Sequence, residues 1–320
     1  MKKVWILVSI CILFLAGCSH TESDFASEST EDVEKPEEAF SILWEEQDII
    51  IPELANDYEV WFMADSHMII PDENADEQVR AYEAERMPVF TNEAKIASSE
   101  IFTQFIEQAN AEKPDLILFG GDILDFPSEK NIAFLKDELE KLTIPYLFVM
   151  GNHDWTYPWE YMTPEGAEKY RPLVEEITGM NSYAGLVEWE DIVFLAVDNS
   201  SNQVAPEAVP VMEQAYATRK PIVLVQHVPF STENLIARAK EDWQNPVTLG
   251  MQVHGGIPVN AVSDALYKNA LDDESQIRLV LAGHVHFAYS EQMSENTTEI
   301  IADAAFKGKA VKLHLTAERE

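Results

Sequence analysis

The most constraining feature of the sequence is the stretch Gly120–Asp125, which reads Gly-Gly-Asp-Ile-Leu-Asp. It directly follows the apolar run Leu116–Phe119, whose length and composition predict a buried β-strand. The two glycines permit a sharp turn and a close approach of neighbouring backbone. Open α/β sheets place their ligand sites at the carboxyl ends of strands, so we expect the two carboxylates of this stretch at such an edge.

Four further predicted strands also end in polar residues that can bind a metal ion. The first three strands of the set alternate with helices, which is the βαβ pattern of a parallel sheet and predicts an α/β fold. A lone histidine at a strand end is more often a satisfied polar residue than a ligand. Here, however, five of the eight histidines lie at such ends. The four strand ends read Asp65-Ser66-His67, Gly151-Asn152-His153-Asp154, Gln226-His227 and Gly283-His284-Val285-His286.

The spacing within two of these segments favours metal binding. In Asp65-x-His67 and in His284-x-His286, the two named residues lie on one face of an extended segment. Two ligands that converge on a metal pair require this arrangement. Together with Asp122, these residues form a set that chance would not align with strand ends.

Taken in order, the motifs D-x-H, G-D-x-x-D, G-N-H-D, H and G-H-x-H resemble those of the calcineurin-like metallophosphoesterase superfamily. The resemblance runs from Asp65 to His286 and covers most of the chain. It implies a four-layer α/β/β/α sandwich, in which two mixed sheets pack face to face with helices outside. It also implies hydrolysis of a phosphoester substrate by a dinuclear metal centre.

The same resemblance implies a role for each motif residue. It assigns one metal to Asp65, His67, Asp122 and His286, and the other to Asp122, Asn152, His227 and His284. Carboxylate, imidazole and amide ligands suit Mn, Fe or Zn, so two such ions are the expected cofactors. His153 resembles the general acid that protonates the leaving oxygen, and Asp125 the residue that orients its ring.

One departure from the family bears on the substrate. Protein Ser/Thr phosphatases of this superfamily continue the second motif with an arginine that grips phosphate, whereas this chain has Phe126. The motif loops contain no Arg or Lys and the formal net charge is −35, so a monoester dianion is repelled more than a diester. The sequence therefore favours phosphodiesters over a protein phosphatase activity. An arginine or lysine from outside these loops, such as Arg80, Arg86 or Lys307, would weaken this argument by entering the site.

Other functions and partners follow from the same observations. A phosphomonoesterase or nucleotidase of the same fold is the nearest alternative. A surface lipoprotein that binds a ligand without catalysis is the second alternative, although it has no need for a complete ligand set together with His153 and Asp125. The negative charge makes nucleic acid an unfavourable partner, because its binding depends on Lys and Arg. No protein partner is implied.

Three further residues are candidate substrate contacts. Trp155 and Tyr157 follow the third motif, and their rings could stack on a base or pack against an acyl or sugar group. The competing interpretation is a hydrophobic cluster under a long loop. His254, beside two glycines, is a candidate for lining the site.

The N-terminal segment predicts export and lipid attachment. Residues 1–17 combine two lysines with an apolar run and fit a signal peptide. The run ends in Leu-Ala-Gly-Cys, which resembles a bacterial lipobox and implies lipidation of Cys18; an ordinary secretory signal with an incidental cysteine is the alternative. Residues 18–40 are acidic and predict a disordered tether, and residues 41–320 form the metallophosphoesterase domain. We expect an outward-facing protein anchored to the cell membrane. The only other cysteine is Cys11, so disulfides and thiol catalysis are not expected.

Periodicity predicts the remaining elements with less detail. The sequence predicts a helix over 93–109, a second helix capped by Ser128, and a solvated acidic loop over 71–85. Residues 155–190 have no clear period and are expected to be irregular up to the next strand. The tail after Phe287 is expected to form antiparallel strands joined near Asn296 and Gly308.

Overall fold

Two mixed β-sheets form the centre of the fold in the computed structural model, which describes residues 40–157, 159, 162–179, 183–244 and 259–317. Residues Ser41–Glu320 belong to one unit. The first sheet contains, in spatial order, β1 (Leu43–Ile50), β11 (Lys309–Thr316), β2 (Tyr58–Met63), β3 (Leu116–Phe119) and β4 (Tyr146–Phe148). The second contains β5 (Ala184–Glu188), β6 (Val193–Val197), β7 (Ile222–Val225), β8 (Ile277–Ala282), β10 (Thr298–Ile301) and β9 (Tyr289–Gln292).

The parallel strands place their carboxyl ends, which the motif residues follow, at one edge of each sheet. In the first sheet β2, β3 and β4 run parallel, and β11 pairs antiparallel with β2 and parallel with β1. In the second sheet β6, β7, β8 and β10 run parallel, while β5 and β9 flank them in the opposite direction. The carboxyl ends of the parallel strands are where α/β sheets bind ligands.

Helices cover the outer faces of both sheets. Apolar side chains of two helices pack on the second sheet, and an aromatic cluster joins another to the first. The helices of the described residues are α1 (Glu77–Arg86), α2 (Ser98–Glu112), α3 (Glu129–Lys141), α4 (Pro164–Thr178), α5 (Val209–Ala217), α6 (Glu233–Trp243) and α7 (Ala261–Ala270). The predicted four-layer α/β/β/α architecture is therefore confirmed.

Alternation of apolar side chains along the strands builds the core between the sheets. In β2, Val60 and Phe62 face the second sheet, whereas Trp61 faces α2 and its ring lies 5.7 Å from that of Phe105. Phe194 of β6 enters the same layer from the second sheet. Burying a side chain of this size contributes roughly 1.5–3 kcal/mol. The two sheets are thus held face to face, which fixes the relative position of their strand ends.

Helix α1 overturns one of the sequence predictions. The acidic stretch predicted to be a loop contains most of this helix, which begins after Asp76, whose side chain accepts a hydrogen bond from Val79 N. Among the residues of α1 only Glu83 is buried, so the helix has no apolar stripe from which the sequence could predict it. The prediction for α2 was nearly right, but that helix begins at Ser98.

Two other regions also differ from the sequence predictions. Residues 155–190 contain α4 and β5, whose weak periodicity concealed them. The β9–β10 pair is the antiparallel hairpin expected near Asn296. By contrast, β11 does not pair with that hairpin. It returns to the first sheet beside β1, because its alternating apolar residues Val311, Leu313 and Leu315 complete the core between the sheets.

The predicted signal peptide, Cys18 and most of the tether lie outside the described residues, so the N-terminal assignments stay predictions. Among the helices that the structure describes, none combines the length and the apolar character needed to span a bilayer.

Candidate active site

The five motif loops meet at the facing edges of the two sheets. Main-chain hydrogen bonds join loops that are distant in sequence. Asp65 N donates to Gly121 O at 2.9 Å, and His67 N donates to Asp122 O at 2.9 Å. On the second sheet, Gly283 N donates to the carbonyl oxygen of the loop after β7 at 3.0 Å. The backbone therefore fixes the motif side chains relative to one another.

Five motif residues have left-handed backbone conformations. Such conformations cost about 1–3 kcal/mol for residues other than glycine, and they persist where surrounding bonds over-determine them. The five are Asp65 (φ 58°), His67 (φ 46°), Asp122 (φ 51°), His284 (φ 74°) and His286 (φ 60°). Backbone strain thus coincides with the residues predicted to bind metal.

Three groups of side chains have ligand atoms close enough to hold a metal ion. Within each group these atoms lie within 4.8 Å of one another, and the groups are Asp65, His67 and His286; Asp122, His227 and His284; and His67, Asp122 and His153. The first two groups correspond to the two ligand sets that the resemblance implies. Asp122 belongs to the second and third groups, and its Oδ2 lies 3.7 Å from Nε2 of His67 in the first, which is the placement a bridging carboxylate requires. The third group also includes the predicted acid, His153.

Asn152 completes the test of whether these residues suit metal ions. Its side chain is buried, and its Oδ1 atom has no hydrogen-bond partner among the described residues. A buried amide oxygen without a partner is costly, and a bound cation would remove that cost. In the second group, Nε2 of His227 lies 3.1 Å from Oδ2 of Asp122. The donor set of carboxylate, imidazole and amide therefore fits two divalent ions.

The electrostatics of His227 fit the same interpretation. Burial alone would lower the pKa of His227, but the adjacent carboxylates, Asp122 above all, raise it to about 10. The raised pKa means that the carboxylates around His227 favour a positive charge at this position. Metal binding releases protons from its ligands, which makes metal affinity dependent on pH.

Glycines allow the second and third motifs to pack closely. Gly121 has a φ of 87°, and a β-carbon on Gly151 would lie 2.1 Å from Oδ1 of Asp122. Asp154 bonds the same two loops together, since its carboxylate accepts hydrogen bonds from the main-chain N of Asp122, Leu124 and Gly151 at 2.8 to 2.9 Å. Burial, together with the charge of Asp122, raises the pKa of Asp154 to about 7. Its contacts are with backbone, so Asp154 holds the two motif loops together.

The sequence analysis assigned no role to Asn199, which holds the His227 loop. Asn199 is buried at the end of β6, and its Oδ1 accepts hydrogen bonds from the main-chain N of His227 (3.1 Å) and Val228 (2.9 Å). The available signal was its position two residues after the apolar run Val193–Val197, which forms β6.

Asp125 contacts more groups than the sequence suggested. Its Oδ1 lies 3.0 Å from Nδ1 of His67 and 3.3 Å from Nδ1 of His153. The closer partner of His153 Nδ1 is the main-chain oxygen of Asp125, at 2.9 Å. Burial would lower the pKa of His153, but the carboxylates of Asp122 and Asp125 raise it to about 9. Asp125 thus orients two imidazoles, those of His67 and His153, and His67 is a predicted metal ligand.

A cation also lies at the site, supplied from outside the motifs. Arg86, the last residue of α1, donates from Nη2 to Oδ1 of Asp125 at 2.7 Å and from Nε to Oδ2 at 3.0 Å. The absence of Arg and Lys from the motif loops therefore does not leave the site without fixed positive charge. Phe126, at the position of the phosphatase arginine, is fully buried.

The two aromatic candidates for substrate contact are in the interior, which corrects that prediction. Trp155 is only 2% exposed and its indole N–H donates to Ser200 Oγ at 2.8 Å. Tyr157 is 9% exposed and its hydroxyl bonds to Pro127 O at 3.2 Å. Both side chains therefore belong to a hydrophobic cluster under the loop, which was the competing interpretation. Burial is possible because the polar atom of each ring has a hydrogen-bond partner inside the protein. His254 lies outside the described residues.

The fold and the paired Asp and His groups are those of an α/β protein that can bind metal ions. Residues 58–288 match the family model described as calcineurin-like phosphoesterase, and the chain belongs to this family. The predicted family membership is confirmed.

The chain spans only about a third of the length of two curated relatives that it matches. A component of the nuclease SbcCD from Staphylococcus epidermidis is 30% identical over 124 residues, covering 36% of this chain and 33% of the relative. A probable cyclic nucleotide phosphodiesterase of Xenorhabdus bovienii is 30% identical over 94 residues, covering 28% of this chain and 38% of the relative. A crystal structure of a dimetal phosphatase from Danio rerio aligns with a TM-score of 0.49 at 12% identity, covering 78% of this chain and 88% of that chain.

Proposed function

We propose that this protein hydrolyses phosphodiesters at the outer face of the cell membrane, using two ions of Mn, Fe or Zn. The observation that carries the proposal is the convergence of two ligand groups beside His153 and Asp125, with Oδ2 of Asp122 in the second group 3.7 Å from Nε2 of His67 in the first. Two of the relatives, named as a nuclease and a probable cyclic nucleotide phosphodiesterase, are named for cleavage of phosphodiesters. Their names support the choice of diesters for this chain.

The residues that would hold the ions are the two predicted sets, one containing Asp65, His67 and His286 and the other Asn152, His227 and His284, with Asp122 in both. When bound, such a pair supplies Lewis-acid stabilisation of phosphoryl oxygens and lowers the pKa of a water molecule.

His153 provides the proton for the leaving group in this proposal. A protonated Nδ1 donates to the main-chain oxygen of Asp125, which leaves Nε2 as the nitrogen that can donate to the leaving oxygen. As the water oxygen bonds to phosphorus and releases a proton to solvent, from which His153 is later reprotonated, the bond from phosphorus to the leaving oxygen breaks. That oxygen takes the proton from His153, and the product departs as a neutral alcohol.

A phosphomonoesterase or nucleotidase activity is the second candidate, and Arg86 favours it. A fixed guanidinium near the site would compensate part of the second negative charge of a monoester. In this structure, however, the guanidinium is already bound to Asp125 by two hydrogen bonds. The positive charge of Arg86 is therefore largely neutralised by Asp125 and does little to offset the second charge of a monoester. Diesters remain the proposed substrates.

A comparison of two reporters tests the substrate class. With saturating Mn(II), we expect kcat/KM for bis-p-nitrophenyl phosphate to exceed that for p-nitrophenyl phosphate by about tenfold, the factor that about 1.4 kcal/mol of transition-state free energy provides. Activity should disappear after chelation and return with metal. A clearly larger kcat/KM for the monoester would reverse the proposed preference, and no metal-dependent activity towards either reporter would contradict the proposed function.

The proposed location depends on Cys18, and the two cysteines offer a matched pair of variants. We expect Cys18→Ser to abolish incorporation of labelled fatty acid and to leave the precursor unprocessed or release the protein, because the thiol is the lipid acceptor. Cys11→Ser should still be labelled and should partition into detergent like the wild type. Unchanged detergent partitioning of a mature-size Cys18→Ser protein would disprove lipid anchoring.

A further inference from the structure

Arg86 holds the Asp125 carboxylate with two hydrogen bonds from one side of its guanidinium. Nε donates to one carboxylate oxygen at 3.0 Å and Nη2 donates to the other at 2.7 Å. This fork geometry fixes the plane of the carboxylate as well as its position. Asp125 is fully buried, whereas the Arg86 side chain is 25% exposed. Arg86 therefore connects the buried Asp125 carboxylate to the solvent-exposed surface of the site.

Aromatic packing restrains the guanidinium from its face. The Cζ atom of Arg86 lies 4.4 Å from the centroid of the Phe90 ring and 5.5 Å from that of Tyr82. Phe90 in turn stacks on the imidazole of His67, with centroids 4.3 Å apart and planes inclined by 4°. A cation on an aromatic face gains about 0.5–2 kcal/mol, depending on its desolvation. Arg86 is thus held both by its hydrogen bonds and by its packing.

The carboxylate oxygen that Arg86 Nη2 binds is also the one nearest to two imidazoles. Oδ1 of Asp125 is 3.0 Å from Nδ1 of His67 and 3.3 Å from Nδ1 of His153. Within the described part of the chain, Arg86 is the one arginine or lysine that pairs with Asp125. Loss of the fork would free the carboxylate to rotate, and His153 would then lose part of what orients its ring.

We propose that Arg86 is a positioning residue for proton donation by His153, and that it matters most for substrates with basic leaving groups. The inference rests on the proposed function, in which His153 protonates the leaving oxygen. A p-nitrophenolate leaves readily without a proton, whereas phenolates and alkoxides need one as the bond breaks. The site would therefore suit esters of ordinary alcohols, provided that Arg86 keeps the acid aligned.

The test compares two diesters that differ in leaving group, bis-p-nitrophenyl phosphate and diphenyl phosphate, at saturating Mn(II). We expect Arg86→Gln to lower kcat for the phenyl ester by about tenfold more than kcat for the nitrophenyl ester, because small misplacements of a catalytic group cost large factors in rate. KM should change little for either. Arg86→Lys, which keeps the charge but not the fork, should give an intermediate loss.

Arg80→Gln is the matched control, since Arg80 is an exposed residue of the same helix whose Nη1 bonds only to Glu73 O among the described residues. It should leave both reporters unchanged. Metal content and Tm of each variant establish that fold and centre persist. Equal losses for the two diesters in Arg86→Gln would overturn the positioning role. If His153→Ala itself showed no greater loss with the phenyl ester, the proposed acid role would fail, irrespective of Arg86.

Discussion

Asp122→Asn is expected to abolish phosphoesterase activity while the protein stays folded. Oδ2 of Asp122 lies 3.1 Å from Nε2 of His227 and 3.7 Å from Nε2 of His67, between the two ligand groups, so in the proposed site its loss weakens both metal positions at once. Metal ions provide several kcal/mol of transition-state stabilisation, which corresponds to about 10³-fold or more in rate. Asparagine has nearly the same shape, and its amide oxygen can still accept the hydrogen bond that Oδ1 receives from His153 N at 2.8 Å. Measurements of kcat, bound metal and Tm on the purified variant check this expectation.

Asp115→Asn provides a control at the opposite end of the same strand. Asp115 is exposed just before β3, at the end of the strand opposite the motif loop, and accepts a hydrogen bond from Glu59 N at 2.8 Å. This variant should keep full activity and two metals. An Asp122→Asn protein that retained two metals per chain and near-normal turnover would show that the carboxylate is not a bridge.

His153→Ala is expected to lower turnover of diphenyl phosphate, whose leaving group needs a proton, by about 10²–10⁴-fold, the usual contribution of a positioned acid, while metal occupancy is retained. The structure makes this variant discriminating, because His153 also belongs to a group with His67 and Asp122 that could hold an ion. A ligand role predicts loss of metal and an acid role predicts loss of turnover alone. Metal analysis alongside steady-state kinetics separates the two.

His314→Ala serves as the matched control, since His314 lies within β11, away from the motif loops in sequence. It should leave kcat unchanged. Loss of both metals from His153→Ala would refute the division between the seven ligands and the acid.

The sequence predicted the fold well where the chain obeys simple patterns. The apolar runs of β2 and β3 are fully buried strands, and Ser128 caps α3 by accepting a hydrogen bond from Asn131 N. These features are local, so a short window of sequence contains them. The partner of β11 is set by long-range packing, which no local pattern records. Its placement beside β1 could therefore not be predicted from the sequence.

The same distinction applies to the candidate site. Each predicted motif residue follows a strand, and the strands of two sheets bring all of them to facing edges. Arg86 reaches Asp125 from a helix without an apolar stripe, so neither periodicity nor motif spacing indicated it. Trp155 and Tyr157 follow a motif but turn inward, because burial of a ring is decided by the surrounding packing. Sequence thus predicted the members of the motif set and missed their supporting contacts.

The placement of Arg86 on α1 has a consequence for how such a site can diversify. Helix α1 buries only one of its ten residues and contributes no strand to either sheet. Its sequence is therefore free to vary with little cost to the hydrophobic core. If Arg86 positions the acid as proposed, substitutions in α1 would change how well a poor leaving group is expelled while the ligands at the strand ends stay the same. The proposed leaving-group preference and the metal ligands would then lie on separate segments, so evolution or engineering could adjust one without rebuilding the other.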